Sequence, residues 1–186
     1  MIEVQHVLDV LKQVKTAIET NNTSKLKFLS DQTIHSASTK QDNDNISLAV
    51  TIYSLGKIFE RTNYRTLDGW DNFNRLITSS LNNSIKYLEK NDLENYKKNF
   101  ILIGKAINKI SGKLKHYIEQ VFERARVNKA SRIYEHGISL GKTANLLGVS
   151  LYDLVNYTGG TGIADTNLNQ TIDVKTRIKF AEEIFK

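Results

Sequence analysis

Not one proline occurs in the 186 residues. At an ordinary usage near 5%, about nine would be expected. Proline breaks helix interiors and otherwise settles in loops, turns and strand edges. A chain that omits it is expected to be mostly helix with short connections. Cysteine is absent as well, which excludes a disulfide scaffold, thiolate zinc sites and cysteine nucleophiles. No stretch approaches the roughly 18–20 apolar residues that span a bilayer. Residues 1–12 have no basic region ahead of an apolar core, so no signal peptide is expected. The composition points to a soluble, cytoplasmic, all-α protein with no membrane partner.

Apolar spacing divides the chain. Ile2, Val4, Val7, Leu8, Leu11, Val14 and Ile18 fall on one helical stripe. Asn21 to Thr23 should end that helix, with Thr23 or Ser24 capping the next. The stretch from Ile46 to Phe59 is too apolar for a surface helix and is expected at the centre of the core. Asp68-Gly69 reads as a turn, and the stripe Trp70, Phe73, Ile77, Leu81 and Leu88 as another helix. Further on, Phe100, Ile103, Ile107, Ile110, Leu114, Tyr117 and Val121 alternate in steps of three and four, an a/d seam over three heptads. That seam predicts one long helix packed against bundle neighbours, or a dimer through a short coiled coil. Gly104 and Gly112 lie off the seam and make a kink near either plausible.

The formal charge of +6 is unevenly placed. Residues 93–136 hold ten Lys/Arg against four Asp/Glu, while the chain on either side is balanced. The long helix is therefore basic. Such a face attracts phosphate backbones or an acidic partner, and it equally suits plain solvent.

From Arg132 to Tyr157 the pattern predicts a helix-turn-helix. Gly137 ends the preceding helix, Ser139 caps a short one, and Ala144 is small where two helices approach. Gly148 sits at the turn, Val149 plugs the core, Ser150 caps the second helix, and Leu154 packs back on the first. A recognition helix reads bases near its N-terminus and needs phosphate anchors nearby. Here Ser150, Tyr152 and Asn156 would face the groove. Lys142 and Thr143, with Arg124, Arg126, Lys129 and Arg132 upstream, would meet phosphates. The second helix itself contains no Lys or Arg and does contain Asp153, so a module for packing or protein contact is the competing reading.

Ser139, Leu140, Gly141, Lys142, Ala144, Leu147, Gly148, Ser150, Leu151, Tyr152, Asp153 and Leu154 together resemble the C-terminal part of small archaeal proteins. They are also similar to short prokaryotic helix-turn-helix antitoxins, with Tyr152 where those usually carry Trp. The resemblance covers about a fifth of the chain, from Arg126 to Asp165. It implies a small DNA-binding or antitoxin-like regulator, often a dimer, whose partner would be a PIN-type ribonuclease toxin. The first 125 residues depart from that short pattern.

Other motifs fall short. Gly137 to Thr143 is one residue short of a P-loop and follows a helix rather than a strand. Gly159, Gly160 and Gly162 suit a chain exit better than an anion nest. Arg132 and His136 are separated by three residues, whereas helical ribonucleases of the HEPN type separate Arg and His by four to six. The four histidines form no metal-ligand spacing, and His35 is expected as a hydrogen-bonded core residue. Catalysis, cofactors and metals are not expected. The expected organisation is a helical bundle over 1–128, with the basic helix leading into a helix-turn-helix module over 129–186 that ends in a final helix from Asp173. The expected function is a non-enzymatic DNA-binding transcription regulator, with an antitoxin-like interaction module or a helical RNA-associated protein as the alternatives.

Overall fold

The computed structural model describes residues 4–40, 43–109 and 112–160. Every regular element among them is helical: α1 (Val4–Glu19), α2 (Thr23–Lys40), α3 (Asn43–Glu60), a 3₁₀ turn (Thr62–Thr66), α4 (Trp70–Glu89), α5 (Leu93–Lys109), α6 (Gly112–Glu135), α7 (Leu140–Leu147) and α8 (Leu151–Gly160). The fold is all-α. No helix among these residues is long and apolar enough to cross a membrane.

Local chemistry explains most of the boundaries. Asn22, rather than the expected Thr23 or Ser24, starts α2: its side-chain oxygen accepts from the Lys25 N–H at 3.0 Å. Asp92 does the same for α5 through the Asn95 N–H at 3.1 Å. Gly69 turns the chain into α4 with φ +89, a left-handed conformation that a Cβ would penalise.

Helix α3 lies at the centre, as its composition requires. Ile52, Leu55 and Ile58 are buried. It packs chiefly on α2, where Gly56 allows a close crossing: a Cβ built on Gly56 would lie 3.2 Å from the Leu26 Cβ. One apolar cluster joins α1, α2, α3, α4, α5 and α6 around Leu11, Leu29, Phe73 and Ile118. A second joins α2, α3, α6, α7 and α8 around Ile34, Ala49, Ala130, Ile133 and Leu154.

The long basic helix expected from residue 93 is instead two helices. Helix α5 ends at Lys109, and α6 begins at Gly112 with φ +70. A left-handed residue cannot continue a right-handed helix. The two segments of the apolar seam accordingly serve different neighbours: α5 packs chiefly on α4, and α6 on α3. The final helix predicted from Asp173 lies outside the described residues, as does Gly162.

Candidate functional site

Helices α7 and α8 are joined by three residues whose local chemistry follows the sequence pattern. Ser139 caps α7, its hydroxyl oxygen accepting from the Lys142 N–H at 3.4 Å. Gly148 closes α7 in the left-handed region, φ +63 and ψ +36, and its N–H reaches the Ala144 carbonyl. Ser150 caps α8: its oxygen accepts from the Asp153 N–H at 3.0 Å, and its hydroxyl donates to the Asp153 carboxylate at 2.6 Å. Ala144, Leu147 and Leu154 are buried, and Val149 packs against the same cluster.

The residues expected to touch DNA separate into distinct groups. Ser150, Tyr152, Asn156, Lys142 and Arg124 are exposed. Thr143 is fully buried, so it cannot reach a phosphate; its hydroxyl faces the Ile138 carbonyl at 3.4 Å. Lys129 is also withdrawn from the surface. Arg126 and Arg132 stay on it but are engaged within α6, by Glu123 at 3.3 Å and Glu135 at 2.9 Å. Arg124 forms no ion pair or hydrogen bond among the described residues.

Lys129 sits in a polar knot between α2, α3 and α6. Its Nζ donates to the Asp31 carboxylate at 2.7 Å and lies 4.3 Å from the centre of the Tyr53 ring. The lysine side chain is 0% exposed, whereas that of Asp31 is 41% exposed. Burial pushes the Lys129 ammonium below its ordinary pKa, with Asp31 opposing that shift. Burial likewise raises the Tyr53 hydroxyl. One turn along α2 from Asp31, His35 Nδ1 approaches the Nε2 of His136, just past the end of α6, to 3.4 Å, with their rings edge to face. His35 is therefore not the core residue expected; it is exposed at the junction of α2 and α6. Burial first, and then the neighbouring His35, lower the His136 pKa.

A large cavity lies beside this knot. It is an open cleft of about 800 Å³ between α3, α6 and α8. Lys57 enters it from α3, Arg61 from the residue that links α3 to the 3₁₀ turn, Arg124 and Asn128 from α6, and Asn156 and Tyr157 from α8. Lys57 is held by Glu60 at 2.8 Å, Arg61 donates to the Tyr64 hydroxyl, and the Asn128 amide donates to the Tyr157 hydroxyl at 2.7 Å. Lys57 and Arg61 escaped the sequence pattern because α3 reads there as a core helix. Arg61 lies just past the end of α3 in a non-helical conformation, so helical spacing could not have marked the pair.

No group of three or more His, Asp or Glu among the described residues is arranged to hold a metal. Comparison with protein families, curated proteins and solved structures finds no match to this chain.

Proposed function

We propose that the chain is a non-enzymatic regulator that binds duplex DNA, with α7 and α8 as a helix-turn-helix. One observation carries this reading: the second helix of the unit and the basic helix α6 share a face. Asn156 of α8 and Arg124 of α6 line the same cleft. Tyr152, 75% exposed, stands on the outer side of α8. The charge that α8 lacks is then supplied from α6, by Arg124 directly and by Arg132 from within its ion pair; Arg126 lies on another side of α6, beside Leu146 and Leu147. Lys142 adds a cation at the start of α7. Lys129 and Thr143 take no part.

Fluorescence anisotropy with a short duplex tests this. Binding is expected at about 50 mM salt, weakening linearly in the logarithm of salt concentration. Arg124→Ala should reduce that slope by about one, the signature of a lost phosphate contact. No binding at low salt overturns the reading.

A protein-contact reading is favoured by a different observation. Leu151 and Val155 are about half exposed beside Tyr152, on a helix with no cation and with Asp153 in its first turn. Apolar residues grouped on one helix face mark partner surfaces more than phosphate surfaces. The antitoxin resemblance supplies the partner class, a PIN-type nuclease. Co-purification with such a nuclease, abolished by Leu151→Asp with Val155→Asp, supports it. A chain that ignores a co-expressed PIN-type nuclease argues against it.

A further inference from the structure

We infer that the cleft between α3, α6 and α8 is a binding site for a mononucleotide-sized anion: a phosphorylated ligand with a planar, hydrogen-bonding ring. Its volume of about 800 Å³ falls in the range of small-molecule sites, about 300–1,000 Å³. The wall opposite α8 is cationic, with Lys57 on α3, Arg61 just after it and Arg124 on α6. The wall from α8 offers Asn156 and the Tyr157 ring.

Charge balance decides what sort of ligand fits. Two acids, Glu123 and Asp153, also line the cleft. Both are engaged, Glu123 with Arg126 and Asp153 with the Ser150 cap. Lys57 is partly neutralised by Glu60. Arg124 is the cation left without an ion pair or hydrogen bond among the described residues. A guanidinium facing a concave site is suited to a phosphate, which it grips through two parallel N–H donors. The remaining lining fits a ring rather than a second charge. Val121 and Val127 are apolar, and aromatic faces such as Tyr157 stack on any base. A side-chain amide such as that of Asn156 can pair with the edge of an adenine. The inference does not rest on DNA binding: it concerns the chain free of DNA, and a duplex gripped by the same Arg124 and Asn156 would compete with the ligand for the cleft.

Isothermal titration calorimetry of the whole chain with adenosine monophosphate, adenosine and inorganic phosphate tests it. The monophosphate should bind saturably, and adenosine or phosphate alone at least about tenfold more weakly, because each keeps half of the contacts. Arg124→Gln should weaken the monophosphate about ten- to a hundredfold, the worth of a charged hydrogen bond. Asn156→Leu should weaken the monophosphate while leaving inorganic phosphate unchanged. Lys12→Gln, on the remote surface of α1, should change neither. The inference is overturned by three results: no saturable heat with the monophosphate, equal affinity for monophosphate and phosphate, or an Arg124→Gln variant that is folded by circular dichroism and binds as the parent does.

Discussion

The ion pair of Lys129 and Asp31 is lopsided, and the two halves should therefore fail differently. The ammonium is fully buried, while the carboxylate retains contact with water. Asp31→Ala leaves a charged amine inside the protein with only the face of Tyr53 to stabilise it. Breaking a buried pair in this way costs about 3–5 kcal/mol. For a chain of 186 residues that corresponds to a fall in melting temperature of roughly 6–20 °C. Lys129→Met removes the buried charge and keeps most of the volume. The Asp31 carboxylate can then be hydrated, and an apolar chain lies on the Tyr53 ring, so the expected loss is within about 1–2 kcal/mol. Urea unfolding followed by circular dichroism measures both, provided the m-values agree. The sign of the pH dependence is also fixed. Burial holds the Lys129 pKa below that of the unfolded chain. Between the two values the unfolded chain carries the extra proton, so stability rises with pH across that window. In Asp31→Ala the window widens downward, and the penalty should shrink as the solution becomes alkaline. A Lys129→Met variant as unstable as Asp31→Ala would refute the reasoning.

Other positions give separate tests. Gly148→Ala forces a Cβ into the left-handed region and should cost about 1–2 kcal/mol by thermal or urea unfolding. Asn99 is buried, and its amide donates to the Ser80 carbonyl at 2.7 Å and the Ser84 hydroxyl at 2.8 Å. Asn99→Ala strands both acceptors and should cost about 1–3 kcal/mol in the same assay. Gly56→Val pushes a branched side chain against Leu26 and should cost about 1–3 kcal/mol through overpacking of α2 on α3. His136 is held below its ordinary pKa by burial, facing His35 on α2 with Arg132 and Glu135 beside it on α6. The unfolded chain therefore takes up its proton first, and stability should fall as pH drops below about 6.5. His136→Gln should flatten that part of the pH–stability curve.

Local chemistry was legible in the sequence wherever one residue decides one backbone event. Gly69, Gly137 and Gly148 sit at turns because φ is positive there. Ser139 and Ser150 cap because their hydroxyls are the nearest acceptors for orphan N–H groups. The apolar run of α3 reported its own burial. What stayed hidden depends on residues far apart in the chain. The heptad seam reads as continuous, because an a/d pattern records which residues are apolar and not which neighbour each half meets. The break at Gly112 assigns the halves to α4 and α3. Lys129 looked like a phosphate anchor on a basic helix, and only the approach of Asp31 and Tyr53 makes it an interior residue. His35 and His136 meet across 101 positions, a distance no local pattern can bridge. Lys57 and Arg61 became part of a site only when α6 and α8 closed a cleft over them.

The second apolar cluster has a consequence for modular engineering. Ala144, Leu147 and Leu154 share their packing with Ile34, Ala37 and Ala49, contributed from near the start of the chain. The α7–α8 pair thus rests chiefly on α6, shares an apolar cluster with α2 and α3, and cannot be lifted out as a transferable cassette. A graft of these two helices onto another scaffold would expose the faces now covered by α2, α3 and α6. Conversely, a designer wishing to retune what α8 meets can alter Tyr152, Val155 or Asn156 in place, since none of the three supports the shared interior.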